Sequence, residues 1–243
     1  MGIVNITPDS FSDGGKYFSK EHAIKHGEKL LEDGADILDL GGESTRPGAT
    51  PVGPDEEIRR VVPVIAELAK LGAIISVDTR HPCVMERALE AGATVLNDVT
   101  ALRSKRSLDV AANSHASVIL MHMRGLPSTM MNNTNYGNLV TEVSDYLGFR
   151  ISACLSAGIE LKRIAIDPGF GFGKTREQNL ELIENLKVLN KHQCPVLVGL
   201  SRKFGKHKPA KERVPESLAV TIKSVINGAN IVRVHDVAET RDA

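Results

Sequence analysis

The sequence predicts an α/β protein whose parallel strands close into a (β/α)8 barrel. Three observations lead there. Eight short β-like runs are spread along 243 residues. The intervals between them mostly place apolar residues at i, i+3, i+4 and i+7, the helix spacing. The runs themselves are apolar on both faces, as strands covered from both sides must be, and each ends in polar residues. Eight strands suit a closed barrel better than an open sheet.

In chain order, Gly2–Thr7 is the first strand, and Ser19 is placed to cap a helix with the buried stripe Ala23, Leu30 and Leu31, ending near Gly34. Ile37–Gly42 precedes Asp55–Leu71, where Ile58, Val61, Val62, Ile65, Leu68 and Ala69 form a helical stripe that Gly72 can terminate. Pro63 is expected to kink that helix or shift its start. Strands Ile74–Thr79, Thr94–Val99, Ser117–His122, Ile164–Gly169, Pro195–Ser201 and Asn230–Asp236 follow. Between them lie helices over Pro82–Ala91, around Leu108–Asn113, and over Leu139–Ala157, Glu177–Asn190 and Pro215–Asn227. The chain ends seven residues after Asp236. Most of the helix due after the eighth strand is therefore expected to be missing, leaving an apolar strip exposed. No Pro/Ser-rich linker divides the chain, so 1–243 reads as a single domain.

Composition narrows the function classes. Thirty basic and thirty acidic residues cancel, which removes the global electrostatic case for nucleic acid or an anionic membrane. No apolar run approaches the roughly 18 residues of a membrane span, and the first residues lack a secretory apolar core. Cys83, Cys154 and Cys194 have neither metal nor disulfide spacing, and read as reduced thiols of a cytoplasmic protein.

The chemistry gathers at Ile164–Lys174, Ile-Ala-Ile-Asp-Pro-Gly-Phe-Gly-Phe-Gly-Lys: a strand, a carboxylate, then a glycine-rich loop. It is not a phosphate cradle of the P-loop type, because the glycine required five residues before Gly173-Lys-Thr175 is Pro168. A loop folding closely over a ligand, with Phe170 or Phe172 against it, suits the alternation better. Asn5, Glu43 to Arg46, Asp78, Asn97, Asp98, His122, Asp167, Ser201 to Lys203, Arg233 and His235 also fall at strand ends. In a barrel these ends form one ring. Turn and cap chemistry explains the Asp and Asn residues, but not Arg46, Lys203, Arg233 and His235.

Ordered motifs then give a family resemblance over nearly the whole chain. They are Gly2–Gly15, Gly41–Ala49 (Gly-Gly-Glu-Ser-Thr-Arg-Pro-Gly-Ala), Ser76–Thr79, Asn97-Asp98, Met121-His122, Asp167–Lys174, Ser201–Lys203 and Arg233–Val237. Together they resemble the dihydropteroate synthase family, whose members join 6-hydroxymethyl-7,8-dihydropterin pyrophosphate to p-aminobenzoate on a TIM barrel. The resemblance implies that Asp78, Asn97, Asp167 and Lys203 meet the pterin, whose guanidine-like edge asks for carboxylate and amide acceptors. Met121 and Phe172 pack on its faces, although for Met121 plain core packing serves as well. Arg46, Arg233 and His235 hold the pyrophosphate, and Asn5 helps place Mg²⁺. Asp78 or Asp167, with Lys203, serves catalysis. His122 is a further acid or ligand, or a supporting residue. The loops Thr7–Lys16 and Glu43–Gly53 close over pyrophosphate, and Phe11, Thr45, Pro47, Phe172, Ser201 and Lys203 shape a p-aminobenzoate pocket open to sulfonamides. The family also implies a homodimer, which the short final helix weakens. Phe204–Glu212 is shorter and more basic than the pattern.

Rival readings are a pterin-dependent methyltransferase on the same barrel, disfavoured by Ser44–Pro47 and Ser201–Lys203, and a pterin-binding protein without catalysis. A P-loop NTPase is more distant.

Overall fold

The computed structural model describes residues 1–6, 18–44, 51–126, 129–204 and 209–243. The expectations for Phe11, Thr45, Arg46 and Pro47, and for most of the two loops that carry them, fall outside the described residues.

Eight strands are present among the described residues: β1 (Gly2–Asn5), β2 (Ile37–Gly41), β3 (Ile74–Asp78), β4 (Val95–Asp98), β5 (Ser117–Met121), β6 (Ile164–Asp167), β7 (Leu197–Val198) and β8 (Ile231–Val232). The first six pair in sequence order, all parallel, and β7 pairs with β8. Two single bridges, Ile166 with Val196 and Gly2 with Val234, complete the ring. The closing hydrogen bonds are Ile166 N–H to Pro195 O at 2.9 Å, Ile3 N–H to Val234 O at 2.9 Å and Val234 N–H to Met1 O at 3.0 Å. The expected barrel is closed.

The helices α1 (Phe18–Glu32), α2 (Pro54–Ala69), α3 (Pro82–Glu90), α4 (Lys105–Ala112), α5 (Leu139–Ser156), α6 (Arg176–Glu184), α7 (Val214–Ile226) and α8 (Val237–Asp242) lie between and after the strands. Side-chain caps start several of them. Ser104 accepts from Ser107 N–H on α4, Asn138 from Thr141 N–H on α5, and Thr175 with Gln178 forms a capping box on α6. Gly72 ends the α2 hairpin as expected, with φ +75° and its N–H on Ala69 O at 3.1 Å.

Some local expectations needed correction. Ser19 lies inside α1, whose range begins one residue earlier at Phe18. Pro63 lies inside α2 without moving its start, which Pro54 opens at a position where a missing N–H costs nothing. The segment read as one helix to Asn190 is α6 followed by a 3-10 stretch, Leu186–His192, ended by Gln193 in the left-handed region. The last helix is six residues long, with Val237 buried. Exposed apolar side chains do occur in this region, but on α7, as Ile222, Val225 and Ile226.

Two apolar layers position the site. The larger fills the space between sheet and helices, with Leu38, Leu40, Ile65, Leu68, Ile75, Leu96 and Leu120 fully buried. Each such side chain contributes about 1.5–3 kcal/mol. A second, smaller cluster of Met1, Val95, Ile119, Ala165 and Leu197 plugs the inside of the barrel. Strand side chains alternate, so the residue two positions after a plug residue shares its inward face. From β4, β5 and β6 those residues are Asn97, Met121 and Asp167. In the register, Asn5, Gly41, Asp78 and Asn97 stand in one row. The apolar plug thus ends where a polar layer begins, at the carboxyl ends of the strands.

Candidate active site

Three carboxylates rise into that layer: Asp39 from within β2, Asp78 at the end of β3 and Asp167 at the end of β6. Arg233, just past β8, bridges the first two, with Nε donating to Asp39 Oδ2 at 2.5 Å and Nη2 to Asp78 Oδ2 at 2.8 Å. Asn97 Nδ2 donates to Asp39 Oδ2 at 3.2 Å. Asp39 is wholly buried and therefore needs these donors. Asp78 is left half satisfied, because its Oδ1 is buried with no hydrogen-bond partner among the described residues. An orphaned buried acceptor costs about 1–3 kcal/mol, which a ligand N–H would recover.

Burial raises the Asp78 carboxyl to about 7, against the pull of Arg233 and with help from Asp39, Glu57 and Asp98. Burial likewise raises Asp167, opposed by the Gly169 N–H on its Oδ1 at 2.7 Å and by Lys203, Lys174 and Arg233. Arg233 stays charged between its two carboxylates, its proton affinity pushed up although burial alone would lower it.

The glycine-rich loop after β6 has a strict geometry. Gly169, Gly171 and Gly173 take φ of +72°, +79° and +63°, a region that other residues rarely adopt. A Cβ on Gly169 would sit 1.9 Å from His122 O. Of the two phenylalanines, Phe170 turns into the core, whereas Phe172 is half-buried beside Met121, Met123, Met130 and Val99 at the rim. Lys203 reaches this loop from beyond β7, with Nζ 2.6 Å from Phe170 O and 4.9 Å from the Phe172 ring centroid. Ser201 Oγ and His235 Nδ1 lie 3.0 Å apart, joining the ends of β7 and β8.

Sequence reasoning placed most of these residues correctly at the mouth. The barrel gathers Asp78, Asn97 and Arg233 in one network, Asp167, Lys203, Met121 and Phe172 around the loop, and Ser201 with His235. Asn5 stands in the Asp78 row. Arg233 points at the carboxylates and joins the Asp78 network. Asp98 turns away, its oxygens taken by Thr100 N–H, Thr100 Oγ1 and Leu102 N–H, which is the turn-former role. His122 is buried with its proton affinity pushed down to about 2, first by burial and then by Lys174, so it is not an acid at neutral pH. Two residues were missed. Asp39 interrupts an apolar strand, Ile-Leu-Asp-Leu-Gly, and a carboxylate there must be paired. Lys174 gave no comparable signal. Among the described residues no group of three or more His, Cys, Asp or Glu side chains is arranged to hold a metal ion.

A barrel whose C-terminal mouth pairs buried carboxylates and an amide with a half-buried aromatic is an enzyme site for a flat, donor-rich heterocycle. Residues 1–235 match the profile of the pterin binding enzymes. A dihydropteroate synthase of Neisseria meningitidis serogroup B is 48% identical across the whole chain and 89% of its own length. A solved Xanthomonas albilineans dihydropteroate synthase holding 4-aminobenzoic acid superposes with a TM-score of 0.93 at 48% identity, covering 100% of this chain and 89% of that one. A second, in complex with 7,8-dihydropteroate, gives 0.90 at 44%, with the same coverage. The chain belongs to the dihydropteroate synthase family.

Proposed function

We propose that this chain condenses 6-hydroxymethyl-7,8-dihydropterin pyrophosphate with p-aminobenzoate, giving 7,8-dihydropteroate and pyrophosphate. The observation that carries this reading is the unsatisfied Asp78 Oδ1 inside the Asp39–Arg233–Asp78–Asn97 network. The N–H groups of a pterin edge supply the missing donor, and a carboxylate facing such an edge gains roughly 1.5–3 kcal/mol per charge-assisted hydrogen bond. Asp167 and Asn97 offer further partners, Lys203 meets ring acceptors, and Phe172 and Met121 cover the ring faces.

Bond breaking leads. The C–O bond at the exocyclic methylene cleaves, its electron pair leaves with pyrophosphate, and the ring delocalises the positive charge beside Asp78 and Asp167. The neutral aromatic amine then forms the C–N bond and releases a proton, so no strong general base is needed. Positioning supplies most of the rate. By the family resemblance, Arg46 and His235 take the leaving group, and Thr45, Pro47 and Ser201 take the arylamine. Asn5 offers one oxygen ligand for Mg²⁺, and the lack of a protein-only carboxylate cluster among the described residues fits an ion that enters on substrate phosphates. When bound, Mg²⁺ offsets charge on the departing pyrophosphate.

Pairing with a second copy is part of the proposal, supported by the exposed Ile222, Val225 and Ile226 of α7. No described helix is long and apolar enough to cross a membrane.

The test is mass-spectrometric detection of dihydropteroate from both substrates and Mg²⁺. Product that disappears with Lys203→Ala or Arg233→Ala supports the reading. Pterin binding without pyrophosphate release would assign a binding protein instead.

A further inference from the structure

We propose that Lys174 is a positioning residue for pterin recognition: from beneath the glycine-rich loop it sets the direction of Asp167 and Phe172. This rests on the function proposed above and deepens it.

The Lys174 ammonium is buried, 3% exposed, and its three protons meet three acceptors. They are His122 Nδ1 at 2.9 Å, Gly169 O at 2.9 Å and Phe172 O at 3.1 Å. No proton is left for a substrate phosphate, which separates this lysine from the phosphate-binding lysine its Gly-Lys-Thr context imitates. Each backbone acceptor belongs to a residue that controls a site group. Gly169 passes its carbonyl to Lys174 and its N–H to Asp167 Oδ1, so one peptide segment links ammonium and carboxylate. Phe172 gives its carbonyl to Lys174 while its ring stands beside Met121 and beneath the Lys203 ammonium.

The floor beneath is rigid. His122 N–H holds Asp167 O at 2.9 Å, and His122 O leaves no room for any side chain at residue 169. His122 is neutral, so its Nδ1 is free to accept. Burial pulls the Lys174 ammonium down to about 7, with Asp167 favouring its charge and Lys203 and Arg124 opposing it. Near neutral pH the amine is therefore poised between its charged and neutral forms, and the three acceptors favour the charged one.

The experiment compares wild type, Lys174→Met and His122→Phe by calorimetry with two probes, 6-hydroxymethylpterin and inorganic pyrophosphate with Mg²⁺, alongside steady-state kinetics and melting temperature. Expected for Lys174→Met is pterin binding weakened by about tenfold, a change of about 1.4 kcal/mol, with a matching rise in KM for the pterin pyrophosphate. Pyrophosphate affinity should stay within about twofold of wild type. His122→Phe removes one acceptor and keeps the ring's bulk, so it should show the same split at about threefold, and it carries the test if Lys174→Met does not fold. A fall in melting temperature and active fraction with both affinities unchanged overturns the proposal, because that is what mere structural support gives. Loss confined to pyrophosphate also overturns it and makes Lys174 an anion ligand. Wild type that makes no dihydropteroate and binds no pterin sinks the function and this inference together. Productive wild type with no split in either variant sinks this inference alone.

Discussion

Arg233 reaches across the barrel mouth to Asp78, an Nη2 to Oδ2 hydrogen bond of 2.8 Å between residues 155 positions apart. The same guanidinium donates to Asp39 with its Nε, so one cation holds two carboxylates, and of the two only Asp78 keeps an oxygen without a partner among the described residues. The arrangement presents a single, oriented acceptor to a ligand. Asp39 is the residue that keeps Arg233 in place.

Asp39→Ala should therefore damage both stability and activity. It leaves Arg233 half-paired in a buried site and Asn97 Nδ2 without its acceptor, and removing one partner of a buried pair costs about 3–5 kcal/mol. Denaturant unfolding and the steady-state rate check this. Substrate should bind more weakly, because a guanidinium released from Asp39 is free to cover the Asp78 oxygen that the pterin needs. Wild-type affinity in a stably folded Asp39→Ala protein would contradict the network.

The raised Asp78 carboxyl gives a pH dependence of definite sign. Its folded value of about 7 lies above the ordinary carboxyl value of 3.8, so the native state binds the extra proton between them. The contribution to stability is full below 3.8 and is lost as pH rises through about 7. Pterin binding runs the other way, since the ionised carboxylate is the better acceptor for paired N–H donors. Affinity should rise with pH through about 7. Asp78→Asn should flatten both dependences, and calorimetric titration at several pH values would show it.

Glu43 ties together the two ends of the segment that carries Thr45, Arg46 and Pro47. Its Oε1 accepts from Val52 N–H at 3.1 Å, and its two oxygens take Arg80 at 2.9 and 3.0 Å. Burial pushes this carboxyl up, but Arg80 and Val52 outweigh it and hold it below its ordinary range. A depressed acid gives stability that is present above the ordinary value of 4.5 and is lost as pH falls through the folded value. Arg80→Met should raise KM for p-aminobenzoate by about threefold to tenfold while leaving binding of 6-hydroxymethylpterin nearly unchanged. Equal losses on both would show that the clamp supports the whole mouth instead.

The barrel was legible because its signals are periodic and repeated. Strand ends were legible for the same reason, which brought Asp78, Asn97, Asp167, Lys203 and Arg233 to one mouth. What escaped depends on direction. Asp39 lies inside a strand, and only the inward pleat of β2 turns it toward Arg233. Asp98 sits next to Asn97 yet faces the opposite way, so neighbouring strand-end residues took different roles. Lys174 escaped because the pattern Gly-Lys-Thr, once rejected as a phosphate cradle, carries no information on burial. The choice between Phe170 and Phe172 likewise waited on the left-handed glycines that flank them.

Gly169 tests the loop most sharply. Its φ of +72° strains any side chain, and a Cβ would fall 1.9 Å from His122 O, a backbone atom fixed by the β5–β6 pairing. Gly169→Ala must then displace either the loop or the strand end, and both carry site groups. We expect a loss of about 3 kcal/mol or more, together with activity, because neither strain nor overlap has an outlet. Gly137→Ala is the matched control. It has an ordinary φ, and its nearest neighbour is the end of the flexible Glu142 side chain at 3.5 Å, so its change should stay within about 0.5 kcal/mol. Parallel thermal melts distinguish the two, and a Gly169→Ala protein as stable and active as the control would show that the loop is not held where the structure puts it.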